Sequence, residues 1–102
     1  MEGSVLINRD VLKSEMMKDA SAFSVWIELA IMASVPNGNN KGVEVREGQC
    51  LAYVFRLARQ LNMNGEVVNN ALNKLQELGE ISIESTKAGK LITILKHVKY
   101  ED

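Results

Sequence analysis

The chain has few of the residues from which catalytic and metal sites are usually built. Its 102 residues include 1 cysteine, 1 histidine and 1 proline. A single cysteine cannot form an internal disulfide, and one Cys with one His cannot build a zinc site from those ligands. Cys50 stands in a strand-like run, so we expect a buried structural thiol. No paired carboxylates, Ser–His pair or phosphate-binding glycine loop is visible, so we predict no enzymatic activity, no metal and no cofactor.

A long hydrophobic run is also missing. The most apolar stretch, residues 22–35, is interrupted by two serines and a glutamate, and it is shorter than the roughly 20 residues that span a bilayer. The N-terminus lacks the basic region and the small-residue cleavage site of a secretory signal. We therefore expect a cytoplasmic protein that does not enter a membrane.

Basic residues are not in excess either. The chain has 12 Lys and Arg against 13 Asp and Glu, a formal net charge of −1, whereas duplex-binding domains usually carry surplus positive charge. The distribution is uneven, because residues 85–100 contain four lysines and no acid. We predict a basic patch on the C-terminal part of a mildly acidic domain.

The first long helix is predicted from a cap at Asp19 or Ser21 to about Ser34. Residues 1–18 are expected to form an extension that packs on the domain in one or two short helical turns. Apolar residues lie on nearly all sides of the helix, so both faces must be covered, either by the rest of the domain or by a second copy. A homodimer would use Phe23, Trp26 and Leu29.

Two further helices separated by a short turn are predicted next. Apolar residues recur at helical spacing over residues 54–61 and again over residues 68–75. Asn62 suits the left-handed position that ends a helix, and Asn64 suits the N-cap of the helix that follows. The spacing therefore predicts a helix-turn-helix.

The pattern then changes to the alternation typical of strands. Residues 81–83 and 91–95 are predicted to form a hairpin whose tip lies at residues 86–90, and either residues 43–45 or residues 50–52 would add one short strand. The predicted fold class is α+β. It is a winged helix-turn-helix over residues 19–102, with three main helices and a small antiparallel sheet.

Candidate DNA contacts fall on the second and third helices and on the hairpin, or wing. An Asn side chain can bond adenine in the major groove, and Lys or Arg can contact phosphates. For each residue the alternative is an ordinary solvated surface, and for the two arginines it is an ion pair with Glu47 or Glu80. The candidates are Arg56, Arg59, Asn69, Asn70, Asn73, Lys74, Lys87 and Lys90.

Short motifs follow one another along almost the whole chain. They are Ile7-Asn8-Arg9, residues 16–19 before the Trp-containing helix, residues 46–49, residues 57–61, residues 71–79, Ile81, residues 92–94 and Tyr100. In this order they resemble the winged-helix N-terminal domain of DnaD-like primosomal proteins and phage replisome organisers. The resemblance implies a non-enzymatic module of a bacterial replication-initiation or phage-related protein that binds double-stranded DNA and other replisome proteins.

A protein-interaction module is the alternative function. The third helix carries Glu66 and Glu77, which would repel phosphates, and the net charge is negative. A winged helix that has lost DNA binding would use its apolar first helix and its N-terminal extension for dimerisation or for docking a partner.

Overall fold

The computed structural model describes residues 4–34, 38–40 and 42–101. These residues form an α+β domain of three α-helices with small antiparallel sheets. None of the described helices is both long enough and apolar enough to cross a membrane. In chain order the elements are β1 (Ser4–Ile7), two 3-10 helices (Arg9–Lys13 and Glu15–Lys18), α1 (Ala20–Met32), β2 (Gly38–Asn40), β3 (Val43–Val45), β4 (Gln49–Ala52), α2 (Val54–Leu61), α3 (Gly65–Glu77), β5 (Ile81–Thr86), β6 (Gly89–Ile94) and β7 (Val98–Glu101).

Side-chain caps and one left-handed residue set the helix boundaries. The Asp19 carboxylate accepts a hydrogen bond from the N–H of Ala22 at 3.1 Å, so α1 begins after Asp19 rather than after Ser21. Asn62 has φ 54° and ψ 49°, which ends α2 as predicted. The Asn64 side chain accepts from the next helix at 2.7 Å. The three-residue connection between α2 and α3 therefore follows from local sequence.

Helix α1 is the centre of the domain. It packs against α2, α3, the second 3-10 helix, β4 and β6, and Trp26 and Leu29 have no exposed surface. Phe23 is half-buried and stacks on Trp26, with the ring centroids 5.8 Å apart. The predicted homodimer interface through Phe23, Trp26 and Leu29 is thereby corrected, because the domain itself covers Trp26 and Leu29.

The main sheet has three antiparallel strands in the order β4-β6-β5. Of the two candidate third strands, residues 50–52 join the hairpin as part of β4, whereas residues 43–45 pair with β2. Thr86 pairs with Gly89, so the hairpin tip consists of Lys87 and Ala88. The Tyr53 hydroxyl donates a hydrogen bond to the carbonyl of Ala88 at 2.8 Å and holds this tip against the start of α2.

The two ends of the described chain pair with each other, which local patterns did not indicate. Strand β1 runs antiparallel to β7 from the pair Ser4 and Glu101 to the pair Ile7 and Val98. The 3-10 helices that follow β1 place Val11 and Met16 in the same core as α1 and α3. Two side chains of the N-terminal segment, Val11 and Met16, are therefore part of the hydrophobic core, whereas most of β1 is exposed.

We predict that Cys50 is unreactive in the folded protein. Its side chain is 5% exposed, and burial raises the pKa of the thiol to about 12, so almost no thiolate forms at mildly alkaline pH. Ellman's reagent should give no signal with native protein and one thiol per chain in denaturant. Because this is the single cysteine of the chain, rapid labelling of native protein would contradict its burial directly.

Candidate nucleic-acid interface

The two arginines of α2 are exposed and lie one helical turn apart. Neither Arg56 nor Arg59 forms an ion pair within the described part of the chain, so the pairing with Glu47 or Glu80 does not occur there. The guanidinium of Arg56 instead lies over the ring of Tyr53, 5.3 Å from its centroid. Both cations are therefore available to an external anion.

These arginines share a groove with an exposed aromatic ring. Tyr53, Phe55, Arg56 and Arg59 line an open groove of about 360 Å³. Phe55 is 85% exposed, and its ring edge lies 3.9 Å from the position that a Cβ at Gly65 would take. Phe55 therefore stands between the first turns of α2 and α3.

Sequence reasoning did not select Phe55, although a signal was present. The buried face of α2 is formed by Leu57 and Ala58, with Val54 and Leu61 half-buried. Phe55 falls outside this face, four residues before Arg59 and on the same side of the helix as that arginine. Phe55 is therefore a large aromatic side chain on the polar side of an amphipathic helix, outside the packing of α2.

The third helix divides its candidate residues between two stripes. Asn69 and Asn73 are exposed and four residues apart, so they lie along one stripe. Asn70 and Lys74 lie on another, in a cleft shared with Asp19 and Ser21. The structure therefore brings Asn70 and Lys74 next to a carboxylate and leaves the other two amides clear of it.

Lys74 is engaged inside the domain. Its Nζ lies 3.2 Å from Oδ2 of Asp19, which ties α3 to the N-cap of α1. The pKa of Asp19 is lowered, first by the hydrogen bond from the Ala22 backbone and then by the hydrogen bond from Lys74. Lys74 has a structural partner that the sequence did not predict.

Acidic side chains share the exposed side of α3 with the asparagines. Glu66 and Glu77 are exposed, and they lie seven residues before and four residues after Asn73. These spacings place all three on one side of the helix. A phosphate that approached this helix would meet carboxylates at both ends, so a contact with DNA here would require cations from other elements.

The hairpin tip supplies such cations next to α2. Lys87 is exposed at the tip and Lys90 is half-buried on β6. Tyr53 bonds the tip through its hydroxyl at 2.8 Å and stacks under Arg56 through its ring. One tyrosine therefore connects the hairpin that carries the lysines with the helix that carries the arginines.

A polar cluster forms away from these residues, where sequence reasoning selected nothing. His97 Nδ1 lies 2.8 Å from Oδ1 of Asp10, and His97 Nε2 lies 2.9 Å from Oε1 of Glu80. The Ser14 hydroxyl donates to Oε2 of Glu80 at 2.5 Å. These residues lie up to 87 positions apart in the sequence, so local patterns could not predict that they come together.

The chemistry of this cluster is structural. The Ser14 hydroxyl donates to a buried carboxylate, so Ser14 and His97 do not form a nucleophile and base pair. Glu80 is 3% exposed, and its partners come from the N-terminal segment and from the residue before β7. Over the described residues, no group of three or more His, Cys, Asp and Glu side chains is arranged to hold a metal ion.

Comparison of the chain with models of known protein families gives no match. Comparison with curated proteins likewise gives no match.

We predict that Asp19 stabilises the domain mainly as a helix cap. Asp19→Ala should lower the free energy of unfolding by about 1 kcal/mol. Asp19→Asn should lower the free energy of unfolding by only a few tenths of about 1 kcal/mol, because Asn caps a helix equally well and a partly exposed ion pair contributes little. Urea denaturation at neutral pH measures both variants, and equal losses would show that the charge matters more than the cap.

The stabilisation that the charge of Asp19 gives depends on pH, and the direction of its pKa shift sets the sign. Since the pKa of Asp19 is lower in the folded protein than its ordinary value of 3.8, the charge contributes fully above that value. Its contribution is lost as the pH falls through the lower folded pKa. The difference between wild type and Asp19→Asn should therefore shrink in acid.

We predict that His97→Ala destabilises the domain by about 3 kcal/mol, because it leaves the buried Glu80 side chain without the imidazole whose Nε2 lies 2.9 Å from Oε1 of Glu80. Asp10→Asn, at the exposed end of the cluster, should cost less than about 1 kcal/mol. Adding Glu80→Gln to His97→Ala should recover part of the loss by removing the buried charge. Chemical denaturation tests the series, and equal losses for His97→Ala and Asp10→Asn would contradict the role given to Glu80.

Proposed function

We propose that the chain is a non-enzymatic, DNA-binding winged-helix module of a replication-initiation or phage-related protein. Two helices joined by a short turn, followed directly by a β-hairpin with a third strand, are the elements of a winged helix in their usual order. The resemblance to DnaD-like primosomal proteins and phage replisome organisers supports the setting in replication, with replisome proteins as further partners.

The observation that carries this proposal is the contact of Tyr53 with the hairpin tip. Tyr53 bonds the tip that carries the exposed Lys87, and its ring lies under the guanidinium of Arg56, so one residue links the two elements that carry the candidate cations. In the proposed complex these cations supply the phosphate contacts that hold a recognition helix in register. In a chain with a net charge of −1, this local concentration of cations matters more for DNA affinity than the total charge.

In the proposed complex α3 faces the major groove. Asn69 and Asn73 are the exposed amides suited to bidentate contact with adenine. Asn70 and Lys74 contribute less, because Asp19 lies beside them and occupies Lys74. The carboxylates of α3 repel phosphates and keep the overall affinity modest.

Protein interaction is the second candidate function, and exposed apolar side chains favour it. In the N-terminal segment Leu12 is 70% exposed and Leu6 is 47% exposed, and at the end of α1 Ile31 is 55% exposed. With Trp26 and Leu29 buried, these residues form the apolar surface that a partner or a second copy would contact. Mass measured against concentration, with and without DNA, separates the two functions.

We predict that Lys87→Ala/Lys90→Ala weakens binding to duplex DNA and makes the dependence on salt shallower. Each lost phosphate contact lowers the slope of log affinity against log salt by about 0.9. Fluorescence anisotropy of a labelled duplex, at low and near-physiological salt, measures both quantities.

The matched control is Lys13→Ala/Lys18→Ala, which removes the same charge from the 3-10 helices. It should leave binding nearly unchanged, and an equal loss in both double variants would show a general charge effect. An intact chain that fails to bind even at low salt would reject the DNA function and favour protein interaction.

A further inference from the structure

The groove at the start of α2 combines two kinds of side chain, aromatic rings and guanidinium groups. Two aromatic rings and two guanidinium groups line it, and no acidic residue does. Phe55 is the most exposed large apolar side chain among the described residues, at 85%. Its ring is neither part of the core nor needed to pack α2, whose buried face is formed by Leu57 and Ala58.

We propose that this groove binds a single strand of nucleic acid, with an unpaired base stacked on Phe55 and neighbouring phosphates held by Arg56 and Arg59. Sites for single strands combine aromatic rings, on which bases stack, with cations that follow the backbone. Tyr53 orients Arg56 by stacking, with the guanidinium 5.3 Å from the ring centroid. Phe55 has no part in the duplex contacts described above, so this is a second binding activity that shares the arginines.

The surroundings of Phe55 favour a base over a protein partner. A standard protein interface buries about 800 Å² on each side, whereas the apolar surface of this groove is limited to the rings of Tyr53 and Phe55, which two arginines flank. Gly65, at the start of α3, places no side chain against the ring edge, which leaves the ring open at its junction with α3. A flat ring beside two unpaired guanidinium groups complements a base joined to phosphates.

The test uses the intact chain and a fluorescein-labelled oligo(dT) of about 16 nucleotides, a length that covers one compact site. Phe55→Ala should weaken binding by about tenfold, the typical loss when one stacking ring is removed. An oligomer of the same length made of abasic residues keeps the phosphates and lacks the bases. Its weaker binding should be unchanged by Phe55→Ala and reduced by Arg56→Ala/Arg59→Ala.

Two further variants serve as controls. Leu12→Ala removes another highly exposed apolar side chain, 70% exposed and on a different element, and should not change the affinity for oligo(dT). Phe55→Trp should retain binding, and its new indole should be quenched by oligo(dT), whereas the buried Trp26 remains insensitive. Because residue 55 is exposed, both of its variants should unfold at the wild-type denaturant concentration.

Each other outcome overturns the proposal in a recognisable way. Equal affinities of wild type and Phe55→Ala for oligo(dT) would show that charge alone binds the strand. Equal losses for oligo(dT) and for a duplex would assign the ring to the duplex contacts instead. A change of mass with concentration that disappears in Phe55→Ala would identify a second copy of the chain as the occupant. If Lys87→Ala/Lys90→Ala leaves the affinity for the duplex unchanged, this result contradicts only the proposal of duplex binding and not the proposal for the groove.

Discussion

The burial of one helix organises the whole domain. Helix α1 is apolar on nearly every side, so its apolar side chains would be exposed to water unless other elements covered both faces of the helix. Helix α3 packs on it, the second 3-10 helix covers it from the N-terminal side, and strands β4 and β6 lie against it. Trp26 is completely buried as a result, and the positions of α2, α3 and the hairpin all follow from this packing.

A buried carboxylate connects the ends of the chain to that core. Glu80 follows α3 directly and accepts from Ser14 while it faces His97. Removing a charge from water is costly unless partners surround it, so this cluster has a stable form only when the N-terminal segment and β7 are both in place. The pairing of β1 with β7, far apart in sequence, lies next to this cluster, since Asp10 follows β1 and His97 precedes β7.

Tyr53 links the hairpin tip to the start of α2. Its hydroxyl bonds the tip and its ring lies under Arg56. The proposed duplex contacts and the proposed single-strand groove meet at these arginines. On these two proposals, an unpaired strand next to a duplex would engage both.

Local signals in the sequence determined the three helices, the cap at Asn64, the left-handed Asn62 and the hairpin, because capping and hydrophobic periodicity act over a few residues. They left the cap of α1 open between Asp19 and Ser21, and the structure places it at Asp19. Tertiary structure alone decided the pairing of β1 with β7, the choice of β4 as the third strand, the partner of Lys74 and the cluster around Glu80. Those contacts join residues tens of positions apart, and their energies depend on burial, which no short stretch of sequence specifies. The sequence shows that Phe55 lies on the polar side of α2, but only the tertiary structure places its ring beside the start of α3.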